Sequence, residues 1–428
     1  MFRSIYSLIL IIFYFPYIFI IFLRIFFKKE HKSKFIEKFK KNKIKKPKGF
    51  LFWFHVASIG EFNSILPVVD NYLKKNQNNN FLITTITLSS YNEYKKRFGN
   101  NPRVFHQFLP YDLSFLVEHF LDSWRPNIVS FVDSEIWPNF IFSIKEKNIP
   151  LVLLNARITQ KTLLRWLNFK KFSKKIFGLF TICIASSKET EAHLEILGAN
   201  KIKYHGNLKF CSFNKNESQL NQKDIVKINR KNIWCAVSTH EGEEIFCSKV
   251  QKILNKKTSD SACVIIPRHV NRTKKIFSKL KNSGLNLQIK NIDDLFDNSA
   301  DIVLVNYYGA VNLFLDKIKN VFMGKSLIKK FKKVGGQNPI EAAKLGCNIF
   351  HGPYISNFNE IYSFFNKKGF SKEVNSPDDL ANELINKFNN HNKSIEKSKI
   401  DELNVYSNLI FKKIIIEYEN LINENNQT

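Results

Sequence analysis

Beyond residue 48 the chain alternates short apolar runs with stretches of helical period. FLFWFHV (50–56), FLITTIT (81–87), IVSFVD (128–133), LVLLNA (151–156) and TICIAS (181–186) read as buried strands. The segments between them carry apolar residues at helical spacing, and strand alternating with helix argues for a parallel, doubly wound sheet. A polar stretch, 214–231, interrupts the series and is a linker candidate. A second series follows: NIWCAVS (232–238), ACVIIPR (262–268), LNLQI (285–289), DIVLVN (301–306), VFMG (321–324) and NIFHG (348–352). Two such halves predict an α/β chain with two Rossmann-like domains, 49–213 and 232–376. Ligands of such domains sit at the carboxyl ends of the strands, here in a cleft between the halves. The final stretch, 377–428, reads as helical and polar, and no repeat of solenoid period is present.

The first 27 residues differ. From Ile5 to Leu23 only Ser7, Pro16 and several tyrosines depart from plain apolar character. About 20 apolar residues suffice to cross the hydrocarbon core, so 1–27 predicts a single-pass transmembrane helix kinked at Pro16. A cleavable signal peptide would have a shorter apolar core and an A-x-A-like site. Lys28–Lys48 then holds eleven lysines and two glutamates, +9 in all. Such a flank stays on the cytoplasmic side. On anionic headgroups each lysine contributes about 1 kcal/mol; a solvated charge run is the alternative.

Composition narrows the partners. Lys+Arg 66 against Asp+Glu 37 leaves a net charge of +29 over 428 residues. That excess points to nucleic acid, a membrane surface or a phosphorylated substrate, although abundant Lys, Asn, Phe and Ile also fit a genomic base bias. The aromatics lie in apolar runs rather than in a basic stripe, and no nucleic-acid motif occurs. Nucleic acid is therefore not an expected partner. The six cysteines are scattered, with no C-x-x-C pair and no zinc spacing. They fit a reducing compartment, and no metal is expected.

Polar clusters fall where strands end. His55-Val56-Ala57-Ser58-Ile59-Gly60-Glu61 runs from a strand through a turn into a helix. Ser58-x-x-Glu61 is a capping-box pattern, and Glu61 is equally a carboxylate able to take a proton from an attacking hydroxyl. Asp133-Ser134-Glu135-Ile136-Trp137-Pro138-Asn139 sets two carboxylates beside an aromatic. Leu154-Asn155-Ala156-Arg157 ends another strand, and Gly206-Asn207-Leu208-Lys209-Phe210 precedes the linker. In the second half, Ser238-Thr239-His240-Glu241-Gly242-Glu243-Glu244 follows the first strand. Pro267-Arg268-His269 follows the next and offers a guanidinium suited to phosphate. Gly335-Gly336-Gln337-Asn338-Pro339-Ile340-Glu341 permits close backbone approach, places Pro339 at a first helical position and ends at a helix N-terminus that favours phosphate. Asn338-x-x-Glu341 also reads as a simple cap.

Taken in order, HVASIGE, LPYD, DSEIWPN, LNARIT, GNLKF, STHEGEE, IIPRHVNR, GGQNPIEAA and GPYISNFNEI resemble the bacterial 3-deoxy-D-manno-octulosonic acid (Kdo) transferases over about residues 50–361. The resemblance implies an inverting, metal-independent glycosyltransferase of the two-domain GT-B fold, anchored at the bacterial inner membrane and facing the cytoplasm. Its donor would be CMP-Kdo, its acceptor a lipid A precursor in lipopolysaccharide synthesis, and anionic membrane lipids its surroundings; no further cofactor is implied. By the same resemblance Glu61 is the general base, and Glu135 and Lys209 stabilise the transition state. Pro267, Arg268 and His269 hold the CMP phosphate. Tyr308, Gly309 and Ala310 contribute through backbone amides, and Asn338, Pro339, Ile340 and Glu341 complete the CMP site, with Glu341 on the ribose. The chain departs from the family's usual pattern in three places. Asn306-Tyr307-Tyr308-Gly309-Ala310-Val311 replaces Asp-Thr-Met-Gly-Glu-Leu, Lys325 stands where Gly is usual, and Gln337 where His is common. A GT-B enzyme for another nucleotide sugar, or an inactive relative, are the competing readings.

Overall fold

The computed structural model describes residues 2–39, 46–211, 229–390 and 394–427. Most of the expected linker (214–228) and part of the basic segment (40–45) lie outside the described residues. The chain divides into two compact units, Met1–Ser212 with Ser407–Thr428, and Phe213–Tyr406.

The first unit is built on seven strands: β1 (Phe50–Val56), β2 (Asn79–Thr85), β3 (Val104–Phe108), β4 (Ile128–Val132), β5 (Leu151–Ala156), β6 (Ile182–Ala185) and β7 (Ile202–Tyr204). They pair in parallel in the order β3-β2-β1-β4-β5-β6-β7. The chain leaves β1 toward one edge and returns to fill the other, so the strand order reverses between β1 and β4. That is where a doubly wound sheet opens a crevice at its carboxyl end. Leu51, Trp53, Val129, Phe131 and Phe140 form the heart of the core on one face. Each such side chain stabilises the fold by about 1.5–3 kcal/mol on burial.

The second unit repeats the plan with β8 (Asn232–Thr239), β9 (Ser261–Pro267), β10 (Leu287–Lys290), β11 (Ile302–Val305), β12 (Asn320–Met323), β13 (Asn348–His351) and β14 (Ser371–Glu373). The order is β10-β11-β9-β8-β12-β13-β14, again all parallel, with the reversal between β8 and β12. Three strands carry no clear signal in the chain. β3, VFHQF, mixes apolar and polar residues, while β7 and β14 are three-residue edge strands. Edge strands bury little, so their apolar runs are short. The helices Pro377–Asn389 and Lys397–Gln427 fill the C-terminal region, and the end of the second belongs to the first unit. There the Tyr418 hydroxyl lies 2.6 Å from that of Ser130, within a fully buried pair.

The single spanning helix expected over residues 1–27 is not what forms. Among the described residues no one helix is long and apolar enough to cross a membrane; Arg3–Ile12 and Tyr14–Phe26 pass that test only as a pair, bent by 50°. The break precedes Pro16 rather than falling on it. A proline ring clashes with the carbonyl four residues back, here Ile12, so the helix restarts at Tyr14 with Pro16 in its first turn. One side of the pair is tied to the first unit. Arg3 donates to Ser143 (2.8 Å), Tyr6 to Asp112 (2.9 Å) and Ser7 to Asn139 (3.2 Å). The other side leaves Phe15, Phe19 and Phe26 largely exposed. The basic segment is not simply a solvated charge run either. Lys38 is buried, donating to Glu30 (2.9 Å) and to the Ile86 carbonyl (3.0 Å).

Candidate active site

In the first unit the polar groups gather at the carboxyl ends of β1, β4 and β5. Ser58 caps the helix Ile59–Lys75, its hydroxyl oxygen accepting from the Glu61 amide (3.3 Å) and its O–H donating to Glu61 Oε1 (2.8 Å). The Ala57 amide donates to Glu61 Oε2 (2.7 Å). The cap and the candidate base are therefore the same residue: the turn that ends β1 holds both carboxylate oxygens of a half-buried Glu61. Burial first, then the nearby Asp133 carboxylate, push its pKa up to about 7, against the Ala57 amide and the Ser58 hydroxyl. A carboxyl poised there has proton affinity matched to neutral pH.

Next to it, Glu135 Oε2 accepts from the Trp137 indole (2.9 Å) and lies 3.2 Å from His55 Nε2. His55 is fully buried, and its Nδ1 lies 2.9 Å from the Thr84 hydroxyl, which also accepts from the Trp53 indole (2.8 Å). Nδ1 also lies 3.2 Å from the Thr84 carbonyl, so groups able to accept a proton face both ring nitrogens, Thr84 on one side and Glu135 on the other. The Lys209 ammonium donates to Asp133 Oδ2 (2.7 Å), while Asn155 Nδ2 donates to Asp133 Oδ1 (2.8 Å). Asn155 Oδ1 in turn accepts from the Leu208 amide (2.8 Å), which docks the Gly206–Phe210 turn and brings Lys209 into reach. Asp133, His55 and Asn155 stood in the polar clusters without assigned roles. Local sequence could not supply them, because each role depends on a partner 22 to 80 residues away.

Backbone strain marks the same places. Of the eight described non-glycine residues with positive φ, Asp133 (57°) and Asn155 (52°) stand at the ends of β4 and β5, and Ser238 (55°) and Lys325 (58°) at those of β8 and β12. Such conformations cost about 1–3 kcal/mol each and persist where surrounding structure over-determines them.

In the second unit a buried acid organises the strand ends. Glu243 Oε2 accepts from the amides of His240 (2.8 Å) and Lys325 (2.7 Å), and Oε1 from those of Ser326 (2.9 Å) and Leu327 (3.2 Å). One carboxylate thus joins the turns after β8 and β12 across the reversal point. The glycines work as expected from close approach: a Cβ on Gly335 would lie 2.1 Å from the Tyr354 carbonyl, and one on Gly352 2.4 Å from that of Ser326. Pro267 closes β9, and the Arg268 amide donates to the Thr239 carbonyl (3.1 Å). Among the described residues the Arg268 guanidinium has no hydrogen-bond or ion-pair partner, and the His269 ring stands 6.1 Å from that of His240. Burial and the charges of Lys325, His269 and Arg272 hold His240 down to about 4, so it is neutral at pH 7.

Tyr308 is exposed; Gly309 takes a left-handed φ of 84° and precedes the helix Ala310–Lys317, where Ala310 is buried. The helix expected after Pro339 is only Ile340–Lys344, with Pro339 preceding it rather than opening it. Asn338 Oδ1 accepts from the Ile340 amide two residues on (3.1 Å), a local turn before the helix, whose N-cap is Pro339 with no side-chain cap bond. Glu341 sits half-buried in that short turn. Among the described residues no three His, Cys, Asp or Glu side chains are arranged to hold a metal ion. All six cysteines are free thiols.

Residues 30–212 match the family described as 3-Deoxy-D-manno-octulosonic-acid transferase (kdotransferase). The 3-deoxy-D-manno-octulosonic acid transferase of Rickettsia bellii is 30% identical, with 86% of each chain covered. The chain belongs to the 3-deoxy-D-manno-octulosonic acid transferases. That of Rickettsia typhi is 31% identical over 80% of this chain and 72% of its own. Among solved structures, UDP-GlcNAc 2-epimerase from Neisseria meningitidis bound to UDP-GlcNAc superposes with a TM-score of 0.56 at 13% identity, covering 86% of this chain and 98% of that one. That likeness concerns the fold: two Rossmann-like units of GT-B type. As a Kdo transferase the chain is a glycosyltransferase, and the clusters above are where its chemistry is sought.

Proposed function

We propose that this transferase moves Kdo from CMP-Kdo to a lipid A precursor in lipopolysaccharide synthesis, with inversion, Glu61 serving as general base and no metal taking part. The observation that carries the proposal is Glu61 itself, a carboxylate gripped through both oxygens and raised to about 7. Ionised, it draws the proton from an acceptor sugar hydroxyl while that oxygen bonds to the anomeric carbon of Kdo. The bond from that carbon to the CMP phosphate oxygen breaks as the new one forms, and CMP leaves with the electron pair. The ammonium of Lys209 and the His55–Glu135 pair supply a fixed polar frame for charge that develops on the reacting sugar.

In the second unit, Arg268 is the phosphate ligand, with Pro267 and His269 shaping its turn. The backbone at Tyr308, Gly309 and Ala310 and the turn Asn338-Pro339-Ile340-Glu341 take the rest of the nucleotide. A leaving phosphate is already anionic, so cations and amides serve it better than a proton donor does. The bent N-terminal pair attaches the enzyme to the cytoplasmic face of a bacterial inner membrane. With Arg3, Tyr6 and Ser7 held by the first unit, its exposed phenylalanines enter the lipid interface rather than crossing it. The lysines of 28–48 meet anionic headgroups there.

The test is direct. Membranes containing the enzyme are incubated with CMP-Kdo and a tetra-acylated lipid A precursor, and the product is weighed by mass spectrometry. A product heavier by Kdo residues is expected. Transfer from UDP-sugars with none from CMP-Kdo would reject the donor assignment.

A further inference from the structure

Among the described residues of the second unit, Lys325 combines a strained backbone with a side-chain charge that Arg268 feels. Its φ of 58° lies in the left-handed region, which a side chain disfavours and glycine accepts freely. Nothing local relieves that strain. It is imposed by the backbone around it: the Lys325 amide donates to Glu243 Oε2 (2.7 Å), and the Lys325 carbonyl accepts from the Gly336 amide (2.7 Å). The same Glu243 oxygen accepts from the His240 amide (2.8 Å), and one residue before His240 the Thr239 carbonyl accepts from the Arg268 amide (3.1 Å). Through this lattice the ends of β8, β9 and β12 are tied together, and Arg268, after β9, and Lys325, after β12, flank the reversal point from its two sides. Both charges remain uncompensated: among the described residues neither the Lys325 ammonium nor the Arg268 guanidinium has a hydrogen-bond or ion-pair partner. Burial first, then Arg268, lowers the Lys325 pKa, as expected for a half-buried cation that feels a second one. Nearby cations do find partners; Arg272 pairs with Glu244 at 2.9 Å and Lys279 with Glu241 at 2.8 Å. Two cations, one of them on a strained backbone, with the intervening Glu243 carboxylate spent on backbone amides, form a site that an anion completes.

We propose that Lys325 is a second cationic ligand for an anionic group of the donor, acting beside Arg268. This rests on the reading of the second unit as the donor site. The chemistry is recognition of a phosphate or carboxylate oxygen by an ammonium, and the donor offers both, on CMP and on the Kdo sugar. Bound to the Kdo carboxylate, the lysine is also a specificity element, since a nucleotide sugar without a carboxylate would gain nothing from it there.

The strain yields a test that a merely structural residue would not pass. Lys325→Gly removes both the charge and the backbone penalty, so thermal stability should stay level or rise while donor affinity falls about tenfold or more. Lys325→Gln keeps a polar side chain without the charge and should lose the same affinity, whereas Lys325→Arg should retain most of it. Dissociation constants for CMP and for CMP-Kdo are measured by calorimetry on the full-length protein, with Arg268→Ala alongside. Equal weakening of both ligands assigns the phosphate; weakening of CMP-Kdo alone assigns the Kdo carboxylate. Unchanged affinities in both Lys325→Gly and Lys325→Gln, with Arg268→Ala impaired, would overturn the role of Lys325 and leave the donor site standing. Unchanged affinities in all three would remove the donor reading itself.

Discussion

The two polar clusters occupy equivalent places, the reversal points of two similar sheets, yet their electrostatics are opposite. In the first unit the charges answer one another: Lys209 binds Asp133, His55 faces Glu135, and the surplus acid, Glu61, is carried near neutrality by burial. In the second unit the buried Glu243 is spent on backbone amides, and although Arg272 pairs with Glu244, Arg268 and Lys325 have no hydrogen-bond or ion-pair partner among the described residues. A self-compensated cluster with one poised carboxyl suits proton transfer to and from a neutral hydroxyl. A cluster with excess positive charge lacks its counter-ion until an anion arrives. The same sheet topology thus supports two tasks because of what each strand end carries.

Breaking the comparison at its most loaded point should give the largest effect. Glu61→Ala should lower transfer by about 10²–10⁴-fold, while CMP affinity stays within about twofold because nothing in the second unit changes. Wild-type turnover in that variant would remove Glu61 from the chemistry. Glu243→Ala acts on the other side: four amides lose their acceptor, so the fold should lose about 3 kcal/mol or more by denaturant titration, and CMP binding should weaken with it. An unaltered unfolding midpoint would show that the turns hold themselves.

Smaller changes sharpen the contrast. Glu61 must be ionised to act, so kcat/KM should rise with pH and level off above about 7. The sign for stability is the reverse. A carboxyl raised from the usual 4.5 to about 7 binds its proton more tightly folded than unfolded, so its contribution to stability is lost as pH rises through that window. In Lys209→Met, Asp133 loses its neutralising partner beside Glu61, and the acid limb should move to higher pH with about tenfold lower activity at pH 7; an unmoved limb would uncouple Lys209 from the base. Finally, raising salt from about 0.05 to 0.5 M should weaken CMP binding several-fold while leaving the acid limb nearly fixed, because exposed cations are screened and a half-buried carboxyl is screened less.

Much of this architecture is legible in the chain. β1, β5 and β8 begin where their apolar runs begin, since central strands buried on both faces must be continuously apolar. The edge strands β7 and β14 are not legible, because they bury little. Ser58 and Glu61 were readable as a pair, being three residues apart on one helical turn. The partnership of Lys209 with Asp133 was not, nor was the grip of Glu243 on the loop after β12, 82 to 84 residues away. The N-terminus teaches the same lesson: its apolar length and Pro16 were plain, but the docking of Arg3 and Tyr6 depends on residues beyond 110.

What the sequence by itself determined was the alternation of strand and helix, the doubling of that plan, and which polar residues stand at strand ends, because burial and helical spacing act within a few residues. Only the tertiary structure decided how those residues are paired. Charge and hydrogen bonding operate across space, so whether a carboxylate is neutralised, poised near 7 or consumed by backbone amides is set by what the fold places beside it.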